Sequence, residues 1–307
     1  MKTVIKKYST LVFIIIVFYS VIVPSGLAAG ETKKFKKGDK FIIALIPERN
    51  IFEQRKRYKY MTDYLSKHLG LDVRAEVLSN YGKICDAFLN HEVDAGFFGS
   101  FSYVLTRAKI NIIPLARPVE VDGTSTYSGY IFVRKDSGIK SPKDMEDKML
   151  SLVSRATTAG YIFQLDYFRK NGVNDMEKYL SKIYFAGSHD AAAWSVYTGE
   201  ADVGGCKNHI YNELCKKNPD FKKNMVILEE SVQVPSNGLA VSADIDPDLQ
   251  KRLKALLLSL DKDQEGKEML KKFAVIKFIE NSDKDYESLY QMIDRLKIDL
   301  KTYPYHD

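Results

Sequence analysis

The chain has 307 residues, with 46 Lys+Arg against 40 Asp+Glu, a formal balance of +6. That surplus is too small for a nucleic-acid scaffold, and a mix of 45% hydrophobic and 28% charged residues excludes a disordered, collagenous or coiled-coil chain. Three cysteines exclude a dense disulfide framework and a four-thiolate zinc site, so the fold must rest on packing.

At the amino terminus, Lys2, Lys6 and Lys7 precede an apolar run of about 13 residues, Leu11 to Val23, followed by Pro24-Ser25-Gly26 and Leu27-Ala28-Ala29-Gly30. A positive end, a short apolar core and a small-residue exit predict a secretory signal over residues 1–29, cut after Ala28 or Ala29. The run falls short of the roughly 20 residues that a helix needs to cross hydrocarbon; an uncleaved anchor is the alternative reading. Cleavage removes three lysines and leaves 6 − 3 = +3 on a protein expected in the periplasm or another extracytoplasmic space. Of Cys85, Cys206 and Cys215 at least one is then unpaired, and Cys206 and Cys215 either pair or stay as free thiols.

Residues 31–40 read as a charged, solvated arm. Phe41 to Ile46 is a continuous apolar run suited to a buried strand, and Arg57 to Leu69 a helix stopped by Gly70. Val73 to Val77 follows as a strand, Tyr81 to Leu89 as a helix and Ala95 to Phe98 as another strand. The rhythm resumes with strands at Tyr130 to Arg134, Met149 to Val153 and Lys182 to Phe185. Alternation of this kind predicts an α/β fold of two lobes built on mainly parallel sheets. Polar connectors at Asp122 to Gly129 and Val232 to Gly238 predict a two-crossing hinge, with residues 30–126 plus 238–307 as one lobe and 127–237 as the other. Asp246-Pro247 opens a long helix whose leucines at 249, 253, 256, 257 and 260 form a core stripe.

Three strand-to-helix junctions carry the chemistry. In Ser151 to Tyr161 a strand runs into Arg155, Thr157 and Thr158 before a helix expected near Ala159. Bare amides at a helix start bind anions, the two hydroxyls add donors, and Arg155 could add a charged fork. Helix capping is the bland alternative for the threonines. Gly99-Ser100 and Gly187-Ser188-His189 repeat the design, with Ser100 as a hydroxyl and His189 as an imidazole donor. Such loops gather at the carboxyl ends of strands, where ligands bind in open α/β sheets.

These residues resemble the substrate-binding proteins of phosphate, phosphite and phosphonate ABC transporters, a family of the two-lobed periplasmic-binding-protein class. The resemblance rests on Ile46 to Asn50 with Arg57-Tyr58, Tyr64-Leu65 and Leu69-Gly70; on Asp94 to Tyr103; on Arg134 to Ile139; on Thr157 to Tyr161; on Gly187 to Ala191; and on Gly199 to Val203. It implies an oxyanion clamp between the lobes, in which Thr157 and Thr158 match the hydroxyls on the phosphoryl group, His189 a pocket histidine and Tyr81 a ligand-reaching tyrosine. Ala159 departs from the family pattern, as does Phe98. Positions at which relatives place carboxylates on a ligand ammonium align with His209 and Asn237, so an amino-phosphonate would lack a counter-charge here. With Tyr127 on the first connector, Tyr81, Gly99, Ser100, Arg155, Thr157, Thr158, His189, His209 and Asn237 form the expected ligand set. No catalytic residue, metal or cofactor is expected. The resemblance implies capture of a small oxyanion by a monomer, with delivery to an ABC permease. The alternatives are a ligand-sensing partner of a membrane-bound sensor kinase and an enzyme on the same fold. His-Glu-x-x-His, Gly-x-Ser-x-Gly and nucleotide-binding glycine patterns are all missing from the sequence, and the three-residue spacing of Cys206 and His209 does not make a nucleophile pair.

Overall fold

The computed structural model describes residues 32–307; the expected signal segment lies outside the described residues. In chain order the first part runs β1 (Lys40–Leu45), α1 (Ile51–Leu69), β2 (Asp72–Val77), α2 (Lys83–Leu89), β3 (Ala95–Phe98), α3 (Ser100–Lys109), β4 (Ile112–Glu120) and β5 (Thr126–Tyr127). The middle part comprises β6 (Gly129–Arg134), β7 (Met149–Leu152), α4 (Phe163–Lys170), α5 (Met176–Tyr179), β8 (Lys182–Phe185), α6 (His189–Tyr197), β9 (Val203–Lys207), α7 (Asn208–Lys217), α8 (Pro219–Asn224) and β10 (Met225–Glu230). The chain then returns through β11 (Val234–Pro235), β12 (Gly238–Ser242), α9 (Pro247–Ser259), α10 (Gln264–Phe273), β13 (Val275–Glu280) and α11 (Glu287–Arg295).

A six-stranded sheet, ordered β13-β4-β12-β3-β1-β2, and a five-stranded sheet, ordered β10-β6-β9-β7-β8, form the two halves. The expectation of mainly parallel sheets is corrected: both are mixed. β1 is parallel to β2 and β3, and β7 to β8 and β9, but β12 runs antiparallel between β3 and β4, and β6 between β9 and β10. β6 and β12 are the strands that follow the two crossings, and each enters its new sheet against the direction set by the local βα units. The crossings pair with each other, β5 with β11, placing Val234 opposite Tyr127 and Pro235 opposite Thr126.

Helix α1 begins six residues before the expected Arg57, because Asn50 Oδ1 accepts from the amides of Phe52 (3.0 Å) and Glu53 (3.3 Å) and so caps the first turn. It ends where Gly70 takes a left-handed φ of 72°. Helix α2 starts after Tyr81 rather than at it, leaving that side chain buried before the first turn. The leucine stripe of α9 behaves as expected, with Leu249, Leu253, Leu257 and Leu260 buried against residues of α1, α10 and one face of the six-stranded sheet. Burying each such side chain is worth about 1.5–3 kcal/mol.

The end of the chain touches both halves. Arg295 of α11 meets Asp166 of α4 at 3.0 Å, Tyr305 Oη donates to Asp86 Oδ1 of α2 (2.7 Å), and Tyr303 Oη donates to the Arg155 carbonyl (2.9 Å). Cys85, Cys206 and Cys215 are all free thiols. No helix among the described residues is long and apolar enough to cross a membrane.

Candidate functional site

The three junctions converge. Gly99, Thr157, Thr158 and His189 line one cavity of about 10 Å³, together with Tyr81, Tyr127 and Asn237. That is room for roughly one water in the protein as it stands. Gly99 precedes α3 in an extended conformation (φ −69°) that any residue can adopt, and a Cβ there would meet Ile46 at an ordinary 3.4 Å. The glycine therefore leaves its face of the cavity open rather than relieving backbone strain. Thr157 precedes a wide single π-helical turn, Thr158–Ile162, that runs into α4, so the ordinary helix expected at Ala159 begins only at Phe163. Close packing shapes this turn: the Val153 amide donates to the Gly160 carbonyl at 3.1 Å, and a Cβ on Gly160 would lie 2.5 Å from the Val153 side chain. Ser188 caps α6 by accepting from the Ala191 amide, which sets His189 at the first helical position.

Neither threonine side chain caps the helical turn at whose start it stands. Thr157 Oγ1 donates to the Ser154 carbonyl (2.7 Å), leaving its lone pairs. Thr158 Oγ1 accepts from the Phe101 amide of the other half (2.9 Å), which leaves its proton to give. Tyr81 is 2% exposed, and its hydroxyl has no hydrogen-bond partner among the described residues. Buried polar atoms are normally satisfied, and this one belongs to a side chain that lines the cavity. His189 Nδ1 accepts from the Lys207 amide at 3.1 Å, so the proton of the neutral ring sits on Nε2. Burial drives the His189 pKa down to about 3, with Lys207 and Arg49 pushing the same way against Glu48. The imidazole is thus a neutral donor.

This depression makes stability pH-dependent with a defined sign. The unfolded chain takes a proton on this side chain near the ordinary value of 6.5, the folded one near 3, so the stabilising contribution is complete above 6.5 and is lost as pH falls through that window. Urea unfolding at pH 7 and pH 5 should differ by about 2 kcal/mol from this group. In His189→Asn the difference should largely vanish; an equally steep decline in the variant would refute a neutral buried ring.

Two charged residues of the cavity were not recognisable as site residues in the sequence. Lys207, at the end of β9, and Glu48, just after β1, form an ion pair across the halves with Nζ 2.6 Å from Oε1 and side chains only 7% and 13% exposed. Lys207 Nζ also donates to Asn237 Oδ1 (3.3 Å) and lies 4.4 Å from the Tyr127 ring centroid. Burial pushes the Glu48 carboxyl up, but Lys207 and Arg49 outweigh it and hold it well below the usual carboxylate range. The pocket therefore does hold a carboxylate, contrary to the expectation from His209 and Asn237, and a protein ammonium already occupies it.

Three expected residues lie outside this cavity, His209 lining an adjoining one. Arg155 does not offer a fork to the cavity: its guanidinium bonds Tyr161 Oη (2.9 Å) and Glu177 (2.6 Å), because the turn before Thr157 directs it outward. Ser100 is buried but donates to the Pro235 carbonyl (2.7 Å), tying α3 to the second crossing. His209 Nε2 faces the Thr126 carbonyl (3.2 Å) on the first crossing. Among the described residues no group of three or more His, Cys, Asp or Glu side chains is placed to hold a metal ion.

Residues 43–286 match the family described as "ABC transporter, phosphonate, periplasmic substrate-binding protein". A probable ABC transporter phosphite binding protein of Prochlorococcus marinus is 24% identical over 259 residues, covering 81% of this chain and 87% of that protein. A phosphate-import protein of Mycolicibacterium smegmatis is 24% identical over 224 residues, 70% of each chain. Among solved structures, a Prochlorococcus marinus protein in complex with methylphosphonate superimposes with a TM-score of 0.74 at 23% identity, over 84% of this chain and 98% of that one. A binding component of an ABC phosphonate transporter from Pseudomonas aeruginosa does so with a TM-score of 0.77 at 18% identity, over 85% and 87%. At these identities the likeness establishes a shared two-lobed α/β fold.

Proposed function

Because the chain belongs to the phosphonate periplasmic substrate-binding protein family of ABC transporters, we propose that it captures a small phosphorus oxyanion, phosphate, phosphite or a compact phosphonate, outside the cytoplasmic membrane and hands it to an ABC permease. The lobes are residues 30–126 with 238–307 and residues 127–237, and the oxyanion sits where Gly99, Thr157, Thr158 and His189 meet. The observation that carries this reading is the buried Tyr81 hydroxyl, without a partner among the described residues, on a side chain that lines a cavity ringed by helix starts. A dianion stripped of water needs many donors at once. Tyr81 Oη, Thr158 Oγ1 and His189 Nε2 are the side-chain part of that supply, since the amides of Ser100, Phe101 and His189 already donate to Tyr127 Oη, Thr158 Oγ1 and the Glu48 carbonyl. Enclosure comes from the two halves bending about the β5–β11 ribbon. Capture without turnover fits the thiols: burial pushes Cys206 well up, and His209 is engaged on Thr126.

Tyr81→Phe tests the assignment. Since the hydroxyl bonds nothing among the described residues, its removal should leave the melting temperature unchanged, while a lost hydrogen bond to an anion costs about 1.5–3 kcal/mol, roughly a 10- to 100-fold weaker Kd. Calorimetric titration with phosphate, phosphite and methylphosphonate reads the change. Wild-type affinity in the variant would remove Tyr81 from the site.

A further inference from the structure

The ion pair inside the cavity bears on which phosphorus compounds can enter. Lys207 reaches into the space lined by Thr157, Thr158 and His189, and every polar neighbour of its Nζ is an acceptor: Glu48 Oε1 at 2.6 Å, Asn237 Oδ1 at 3.3 Å and the face of Tyr127. The guanidinium of Arg49 contacts Glu213 at 2.9 Å and acts on Glu48 only from a distance, so Lys207 is the cation in contact with Glu48. Beside this pair a second cavity, of about 40 Å³, shares Glu48, Lys207 and Asn237 and continues to Arg49, Arg57, Glu120 and His209. A substituent on the phosphorus atom that extends from the first cavity into the second passes the groups both share, Lys207 among them, and enters a space lined by two guanidinium groups, His209 and one further carboxylate.

We infer that Lys207 is a specificity-determining residue that excludes phosphonates with a cationic tail: it places a protein ammonium on Glu48, the carboxylate that an aminoalkyl tail would otherwise use. The inference rests on the reading of the site as a phosphorus-oxyanion pocket. Two ammonium groups cannot share one buried carboxylate, because each repels the other strongly where water is excluded, and loss of a pairing leaves a desolvated charge. An uncharged substituent, or the bare hydrogen of phosphite, meets no such opposition. Discrimination here works by a repulsive element built against the wrong ligand as much as by attraction to the right one.

The test compares the Kd for methylphosphonate with that for 2-aminoethylphosphonate, by calorimetry, in the full mature chain. Wild type should prefer methylphosphonate by at least about 30-fold, since a like-charge contact in a dry site is worth well over a tenfold change. Lys207→Gln frees Glu48 for the ligand ammonium and should cut the ratio to less than about threefold or invert it, while Lys207→Arg keeps the charge and should keep the preference. Glu48→Gln combined with Lys207→Gln removes both charges, and its ratio should lie between those of wild type and Lys207→Gln. The wild-type ratio needs no variant, so it decides even if Lys207→Gln does not fold. Equal wild-type affinity for the two phosphonates, or a ratio that Lys207→Gln leaves unchanged, overturns the role of Lys207 alone. Failure of wild type to bind phosphate, phosphite and methylphosphonate overturns the oxyanion reading and this inference together.

Discussion

Replacing Lys207 by Met should cost about 3–5 kcal/mol of folding stability, the range for stranding one partner of a buried ion pair. Methionine keeps the volume of the lysine stem but leaves the Glu48 carboxylate among Thr157, His189 and Asn237 with no counter-ion in contact, since Arg49 is held by Glu213. The carboxyl, held low in the native protein chiefly by Lys207 against the opposing effect of burial, should then rise and take up a proton more readily. Glu48→Gln in the same background should recover most of the loss, because a neutral amide needs no counter-charge and can still accept a hydrogen bond. Urea unfolding of the two single variants and the double measures the coupling. If Lys207→Met loses less than about 1 kcal/mol, the pair is solvated and the buried geometry is refuted.

Gly160→Ala should damage both folding and binding. An added Cβ would fall 2.5 Å from Cβ and Cγ2 of Val153 and 2.8 Å from Thr157 Oγ1, distances that real side chains do not tolerate. Val153 follows β7 and is fully buried, so it cannot yield; the π-helical turn carrying Thr157 and Thr158 must shift instead. Overpacking of this kind costs about 1–3 kcal/mol. The displacement also carries Thr158 Oγ1 away from the Phe101 amide, so oxyanion affinity should fall by at least about tenfold, the equivalent of one hydrogen bond to a charged group. Val153→Ala, added to Gly160→Ala, returns room for the methyl group and should restore part of the affinity. Unchanged affinity in the Gly160→Ala protein would show that the turn does not position the ligand donors.

Much of the candidate cavity was legible because its parts are local. A strand ending in glycine or small hydroxyl residues, followed at once by a helix, can be read from five or six neighbouring letters, and Gly99, Thr157 and His189 do meet in one cavity. The two residues that charge the cavity had no such signature. Glu48 and Lys207 are 159 positions apart, and each reads alone as an ordinary ionic residue at the mouth of a strand; only the antiparallel entry of β6 beside β9 and the return of the chain to the six-stranded sheet bring them face to face. The direction of Arg155 was equally hidden. Proximity in sequence to Thr157 suggested the cavity, but the intervening turn points the guanidinium at Glu177, an acceptor that lies 22 residues downstream. Strand direction failed for a related reason: periodicity reports burial on both faces, which parallel and antiparallel neighbours satisfy alike. The early start of α1 was readable in principle from Asn50, whose side chain substitutes for the missing intrahelical acceptor.

Beyond the β5–β11 ribbon, the last residues of the chain supply another fastening. Tyr305 is moored to Asp86 on one body and Tyr303 to the Arg155 backbone on the other, while the Arg155 amide donates to Asp307. The tail therefore bridges the two bodies, alongside the Arg295–Asp166 pair, at points remote from the ribbon. The far end of the chain is thereby a tether in its own right, spliced to both bodies at a distance from the ribbon.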